Sequence, residues 1–149
     1  AASHRVDGSY RPIEQFDVLL LGDVLDVIRS TRGLTRKDVR PWSDPARPEY
    51  LDMVNQITAG ILKQNEESLA VLRRLTEAGG LQLAPADKLG RVADTRDRVP
   101  VKVDIHYMVG NHDWFYRLPG PGFDLLRQSV CRHLVLANKP NQPFAHDPH

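Results

Sequence analysis

Cysteine is nearly absent: Cys131 is the one thiol in 149 residues. A lone thiol excludes an internal disulfide framework, and its apolar neighbours make it packing material. An excess of charge of one sign is also missing. Twenty Lys and Arg stand against 19 Asp and Glu, a net of +1 with the histidines neutral. No global field therefore draws the chain to nucleic acid or to a membrane surface. No apolar run approaches the length of a membrane span. The opening residues, AASHRVDGSYRP, lack a basic-then-apolar export signal. These absences point to the cytoplasm and give no membrane partner. What is present, 41% hydrophobic and 26% charged residues, is ordinary for a globular protein. The length allows one domain with a sizeable core and not two.

Residues 1–15 are polar and turn-rich. Phe16 to Gly22, FDVLLLG, is a short apolar run ending in glycine, the pattern of a strand buried on both faces. Residues 24–30 can begin a helix. From Thr31 to Pro48, Gly33, Pro41 and Pro45 stand among charges and spell a long surface loop. Leu51, Val54, Ile57, Ile61, Leu62, Leu69, Leu72 and Leu75 then follow helical spacing. Pro48 and Glu49 suit the first turn, Gly79-Gly80 suits the end, and a break falls at Gly60 or Asn65. Residues 80–99 keep no period and form an excursion. Val101, Val103, Ile105, Tyr107 and Val109 alternate along a strand. A helix follows, with Phe123, Leu125, Leu126, Val130 and Leu134 facing inward, and a proline-rich tail ends the chain. This order suggests an α/β protein with helices covering a sheet. In such folds ligands gather beyond the carboxyl ends of the strands.

Two stretches stand at such ends. Gly22-Asp23-Val24-Leu25-Asp26 follows the first strand, and Gly110-Asn111-His112-Asp113 follows the second. Each residue has an ordinary reading and a chemical one. Asp23 suits a helix N-cap and equally a carboxylate between two cations. Asp26, one helical turn on, is a solvated residue or one that orients a ligand. Asn111 is a normal turn residue and also a carbonyl donor to a metal. His112 can donate a proton or hydrogen bond to developing charge, with Asp113 fixing the imidazole and keeping it charged. Two glycine-led polar turns, each after an apolar strand, favour the chemical reading.

The ordered pair GDVLD and GNHD resembles the G-D-x-x-D and G-N-H-[DE] blocks of the calcineurin-like metallophosphoesterases. The resemblance implies a β-sandwich core flanked by helices, of which residues 1–149 form the middle part of a single domain incomplete at both ends. It implies two divalent metal ions, manganese, iron or zinc. Asp23 would bridge both, Asn111 would bind the second, and Asp26 would support them. His112 and Asp113 would be catalytic. The function implied is hydrolysis of a phosphoester by a metal-activated water, as a phosphatase or phosphodiesterase acting on a small molecule. The alternative is a non-catalytic binding or scaffold protein with the same fold. Nuclease activity ranks below both, since the near-neutral charge gives no basic surface for a phosphate backbone.

The chain departs from the family at both ends. No D-x-H block precedes Asp23. Asp104-Ile105-His106 matches that pattern but lies on the strand leading into GNHD. No G-H-x-H block follows; His146 and His149 lack the glycine and the preceding strand. Val27 after Asp26, and Asp113 rather than Glu, argue against a protein phosphatase. Trp114, Phe115 and Tyr116 read as packing beside the site, and Arg29 and Arg32 as solvated residues within reach of an anion.

Overall fold

The computed structural model describes residues 3–146. Along the chain run β1 (Gln15–Leu21), α1 (Thr31–Thr35), α2 (Pro48–Gln64), α3 (Glu66–Thr76), β2 (Gln82–Leu83), β3 (Val99–Pro100), β4 (Lys102–Met108), a short 3-10 turn (Trp114–Arg117) and α4 (Pro121–Leu134). β1 and β4 pair in parallel, with Val18 opposite Ile105 and Leu20 opposite Tyr107. β2 and β3 form a separate antiparallel pair.

This architecture overturns the expected metallophosphoesterase-like sandwich. A sandwich needs two facing sheets with interdigitating inner faces. Here each sheet has two strands, and the 80–99 excursion closes on itself as β2–β3 instead of extending β1–β4. The apolar mass is mostly helical. The result is a small α/β domain with helices against one short parallel ribbon.

The two edges of that ribbon differ. The far edge of β4 is capped by the tail. Ala137 N–H donates to the Ile105 carbonyl and Val109 N–H to the Ala145 carbonyl, both at 2.8 Å. Asn138 serves Tyr107 twice, accepting its N–H and donating to its carbonyl, each at 2.8 Å. His146 takes part through a parallel bridge to Val109, whereas His149 lies outside the described residues. β1 has no second neighbour among the described residues. Phe16, Leu19 and Leu21 are consequently 47%, 52% and 59% exposed, which corrects the expectation of a strand buried on both faces. Among the described residues, only one face of the ribbon carries helices. The other holds polar pairs, Lys102 with Asp104 at 2.5 Å and His106 with Asp17 at 3.7 Å.

The alternation in β4 is realised: Val101, Val103, Ile105, Tyr107 and Val109 are buried. α2 turns Tyr50, Met53, Val54, Ile57 and Leu62 inward. The long helical pattern breaks at Asn65, whose side-chain amide and backbone N–H both reach the Ile61 carbonyl, at 2.9 and 3.1 Å. Those bonds occupy an end-of-helix carbonyl and let α3 start in a new direction. Residues 24–30 form no helix. They form turns at residues 24–25 and 28–29, and Leu25 and Val27 are buried. The helix falls later, at α1, inside the stretch read as loop. In α4 Phe123, Leu126, Val130 and Leu134 face the core, while Leu125 is 66% exposed and leaves the inward set. Cys131 is buried, and burial pushes its thiol up to about 11, which keeps it protonated and unreactive.

Arg127 is the largest fully buried side chain. It pairs with Asp124 and donates to the carbonyls of Tyr116, Leu118 and Pro140 at 3.0, 2.7 and 2.9 Å. It thereby ties α4 to the 3-10 turn and to the tail that caps β4. Arg127→Leu should cost about 3–5 kcal/mol, because it takes the charged donor away from three carbonyls at once. Urea unfolding of the variant reads this directly, and a loss within experimental error would show the carbonyls to be otherwise satisfied.

Candidate functional site

The site forms where the loops after β1 and β4 touch. Gly22 N–H continues the ladder to the Met108 carbonyl at 2.8 Å. Gly22 then turns with φ +62°, and Asp23 follows at φ +50°, a conformation that costs a non-glycine residue energy. A Cβ at Gly22 would stand 3.0 Å from the Gly110 Cα, and one at Gly110 would collide with the Asp23 carboxylate. The two glycines therefore let the backbones of the two loops meet.

That contact brings together three of the side chains singled out from the sequence. His112 N–H donates to Asp23 Oδ1 at 3.0 Å. The His112 Nδ1 lies 3.5 Å from Asp23 Oδ2 and 3.4 Å from Asp26 Oδ2. This nitrogen is buried without a hydrogen bond of normal geometry. Ile28 N–H reaches the His112 carbonyl at 3.3 Å, so the loops are stitched together on both sides of the imidazole. Asn111 remains exposed on the turn.

Asp113 does something other than orient the imidazole. Its carboxylate is fully buried, accepts the Gly110 N–H at 2.6 Å and also accepts the Tyr107 hydroxyl. That hydroxyl in turn accepts the Leu25 N–H at 3.3 Å. Burial pushes the Asp113 carboxyl above the usual aspartate range, and the nearby Asp23 charge adds to this, while the bonds from Tyr107 and Gly110 pull the other way. Burial and the Asp113 charge likewise push the Tyr107 phenol up, so it keeps its proton and donates it. Tyr107 was not anticipated as a partner. Its signal is a phenol at an inward strand position, where a buried hydroxyl needs a partner.

The aromatic residues after Asp113 are packing, as their sequence setting suggests. Phe115 and Tyr116 are fully buried, and Trp114 stacks on Phe115 with centroids 4.6 Å apart. Beside Asp26 a cleft of about 310 Å³ opens between α2 and the 26–30 loop with the start of α1. Arg29 Nε pairs with Asp26 Oδ2 at 3.3 Å. Arg32 lies across α2 at Gly60, where a Cβ would come within 2.9 Å of Nη1. Ser30, Thr31 and Gln64 complete the polar lining.

The chain matches no protein-family model, no curated protein and no solved structure. Among the described residues no group of three or more His, Cys, Asp or Glu side chains is arranged to hold a metal ion. Asp23 and Asp26 each face the His112 imidazole, and Asn111 is exposed. The metallophosphoesterase resemblance is therefore corrected on two grounds, the fold and the missing dinuclear cluster. With it fall the expected hydrolase or phosphatase activity, the phosphoester substrate and the scaffold alternative that kept the same fold. No helix among the described residues is long and apolar enough to cross a membrane.

Asp113→Ala would leave two buried donors, the Gly110 N–H and the Tyr107 hydroxyl, without an acceptor. It should destabilise the fold by about 2–4 kcal/mol. Asp113→Asn keeps an acceptor and separates the effect of charge. Because the folded-state carboxyl holds its proton more tightly than the unfolded one, Asp113 favours folding at acid pH. That contribution is lost as pH rises from the unfolded value of 3.8 through the raised folded value. The stability of the parent relative to Asp113→Asn should fall across that window in urea melts. A difference that rises with pH would contradict the assignment.

Proposed function

We propose that this chain is a ligand-binding domain whose cleft between residues 26–32, which run into α1, and α2 receives a small organic anion such as a dicarboxylate. The observation that carries this reading is the Arg32 guanidinium, which lies across Gly60 at the cleft and has no acidic partner among the described residues. Arg29 stands on the loop just before α1, with Asp26 balancing its charge. The local surplus of positive charge therefore belongs to Arg32.

A guanidinium presents paired N–H donors in a plane, which match the two oxygens of a carboxylate. The hydroxyls of Ser30 and Thr31 and the amide of Gln64 supply neutral hydrogen-bond partners around it. Asp26, facing both Arg29 and His112, places negative charge at one end of the cleft and directs an anion toward Arg32. The volume suits a small molecule. The cleft also lies beyond the carboxyl ends of a parallel strand pair, where α/β folds place their ligands.

Titration with malonate, followed through backbone amide NMR shifts, should give saturable changes in residues 29–32 and 60–64. Arg32→Gln should weaken binding by about tenfold, the loss of ~1.4 kcal/mol of charge-assisted hydrogen bonding. Asp26→Asn should strengthen it by removing like charge. Shifts that fail to saturate, or unchanged affinity in Arg32→Gln, would sink the reading.

A further inference from the structure

β1 carries an unfinished hydrogen-bond ladder. Lys102 N–H donates to the Glu14 carbonyl at 2.9 Å and Gly22 N–H to the Met108 carbonyl at 2.8 Å. Backbone groups alternate sides along a strand. The even-numbered residues of β1 therefore serve β4, and Gln15, Asp17, Leu19 and Leu21 point their amides and carbonyls outward. β1 reads QFDVLLL, with no lysine or proline to discourage pairing. A two-stranded ribbon is marginal by itself, and a third strand adds stability.

We propose that a second copy of this chain completes the ladder, β1 pairing antiparallel with its counterpart across a two-fold axis at Val18. In that register Gln15 faces Leu21 of the other copy and Asp17 faces Leu19. All four outward residues of each strand then exchange both of their bonds. Shifting the axis to Leu19 would set Gln15 beyond the strand, opposite Asp23, and leave outward groups unused. A parallel in-register arrangement would set Asp17 against Asp17, a like-charge pair that destabilises a sheet. The antiparallel register separates them, and His106 lies 3.7 Å from each Asp17 carboxylate.

The inner face agrees with this pairing. Val18 meets Val18 and Phe16 meets Leu20, so apolar residues oppose apolar ones. Directly opposed residues share a face, which places the helices of both copies on one side of a continuous sheet. Space exists there, because the helices lie chiefly over β4 and Phe16 is 47% exposed. The outer edge of each β4 is capped by its own tail. Assembly therefore stops at a closed, isologous pair instead of propagating.

The test is sedimentation of the full chain across micromolar concentrations. The parent should move toward twice the 16.8 kDa chain mass. Leu19→Pro removes an outward N–H and spares the bonds to β4, so it should sediment as a monomer with an unchanged far-ultraviolet circular dichroism spectrum. Val18→Cys should form an intermolecular disulfide on mild oxidation, since a non-hydrogen-bonded antiparallel pair brings Cα atoms to about 4.5 Å. Cys131 is buried, and the parent serves as the control. A parent that is monomeric throughout, a folded Leu19→Pro that remains dimeric, or a Val18→Cys that fails to cross-link overturns the proposal. Should Leu19→Pro lose its fold, the cross-link alone decides.

Discussion

The parallel pairing of β1 with β4 is the constraint on which the other features rest. Parallel strands cannot be joined by a tight turn and need a crossover. Here the crossover holds α1, α2, α3 and the β2–β3 excursion, so most of the helical core is built between two strands that must return to each other. Once Val18 is set opposite Ile105, the glycines that end both strands arrive together. The close approach of Gly22 and Gly110 is a consequence of register. Slipping the pairing by one residue would turn Tyr107 away from the core and carry Asp113's main donor with it.

Below the loop contact lies a second layer of control. Tyr107 stands on the inner face of β4, and its hydroxyl meets both the Asp113 carboxylate and the Leu25 N–H. A single phenol thereby links the loop after β1 to the loop after β4 from beneath. The bond from His112 N–H to Asp23 links them from above. The imidazole is held between these layers, which accounts for its buried Nδ1. The surrounding backbone is fixed by other bonds and leaves this nitrogen facing two carboxylates without a hydrogen bond of normal geometry.

Much of this was legible in the sequence. Alternation from Val101 to Val109 marks β4, helical spacing marks α2 and α3, and the break at Asn65 is one of two signalled positions. The meeting of Asp23, Asp26 and His112 follows from two glycine-terminated strands ending at the same side of a ribbon. Other features depend on partners that one stretch of chain does not display. FDVLLLG has the composition of a doubly buried strand, yet burial depends on how many neighbours the fold supplies, and among the described residues β1 has one. Leu25 and Val27 sit in a run that also permits a helix; the hydroxyl of Tyr107, 82 residues away, takes the Leu25 N–H instead. The proline-rich tail reads as an exit segment because edge-capping by Asn138 leaves no periodic trace.

Three aspartates that look alike in the sequence have different physical fates. Asp113 is fully enclosed, and its neighbours raise its carboxyl by burial more than their hydrogen bonds lower it. Asp26 is shared between a guanidinium and an imidazole at the mouth of a cleft. Asp23 is exposed but bears a left-handed backbone and receives an amide from the neighbouring loop. The fold commits the three separately: Asp113 to the core, Asp26 to Arg29, and Asp23 to the loop contact. The same residues at the same spacing can therefore form a loop clasp, because the donors that reach each carboxylate are set by the surrounding sheet and not by the local motif.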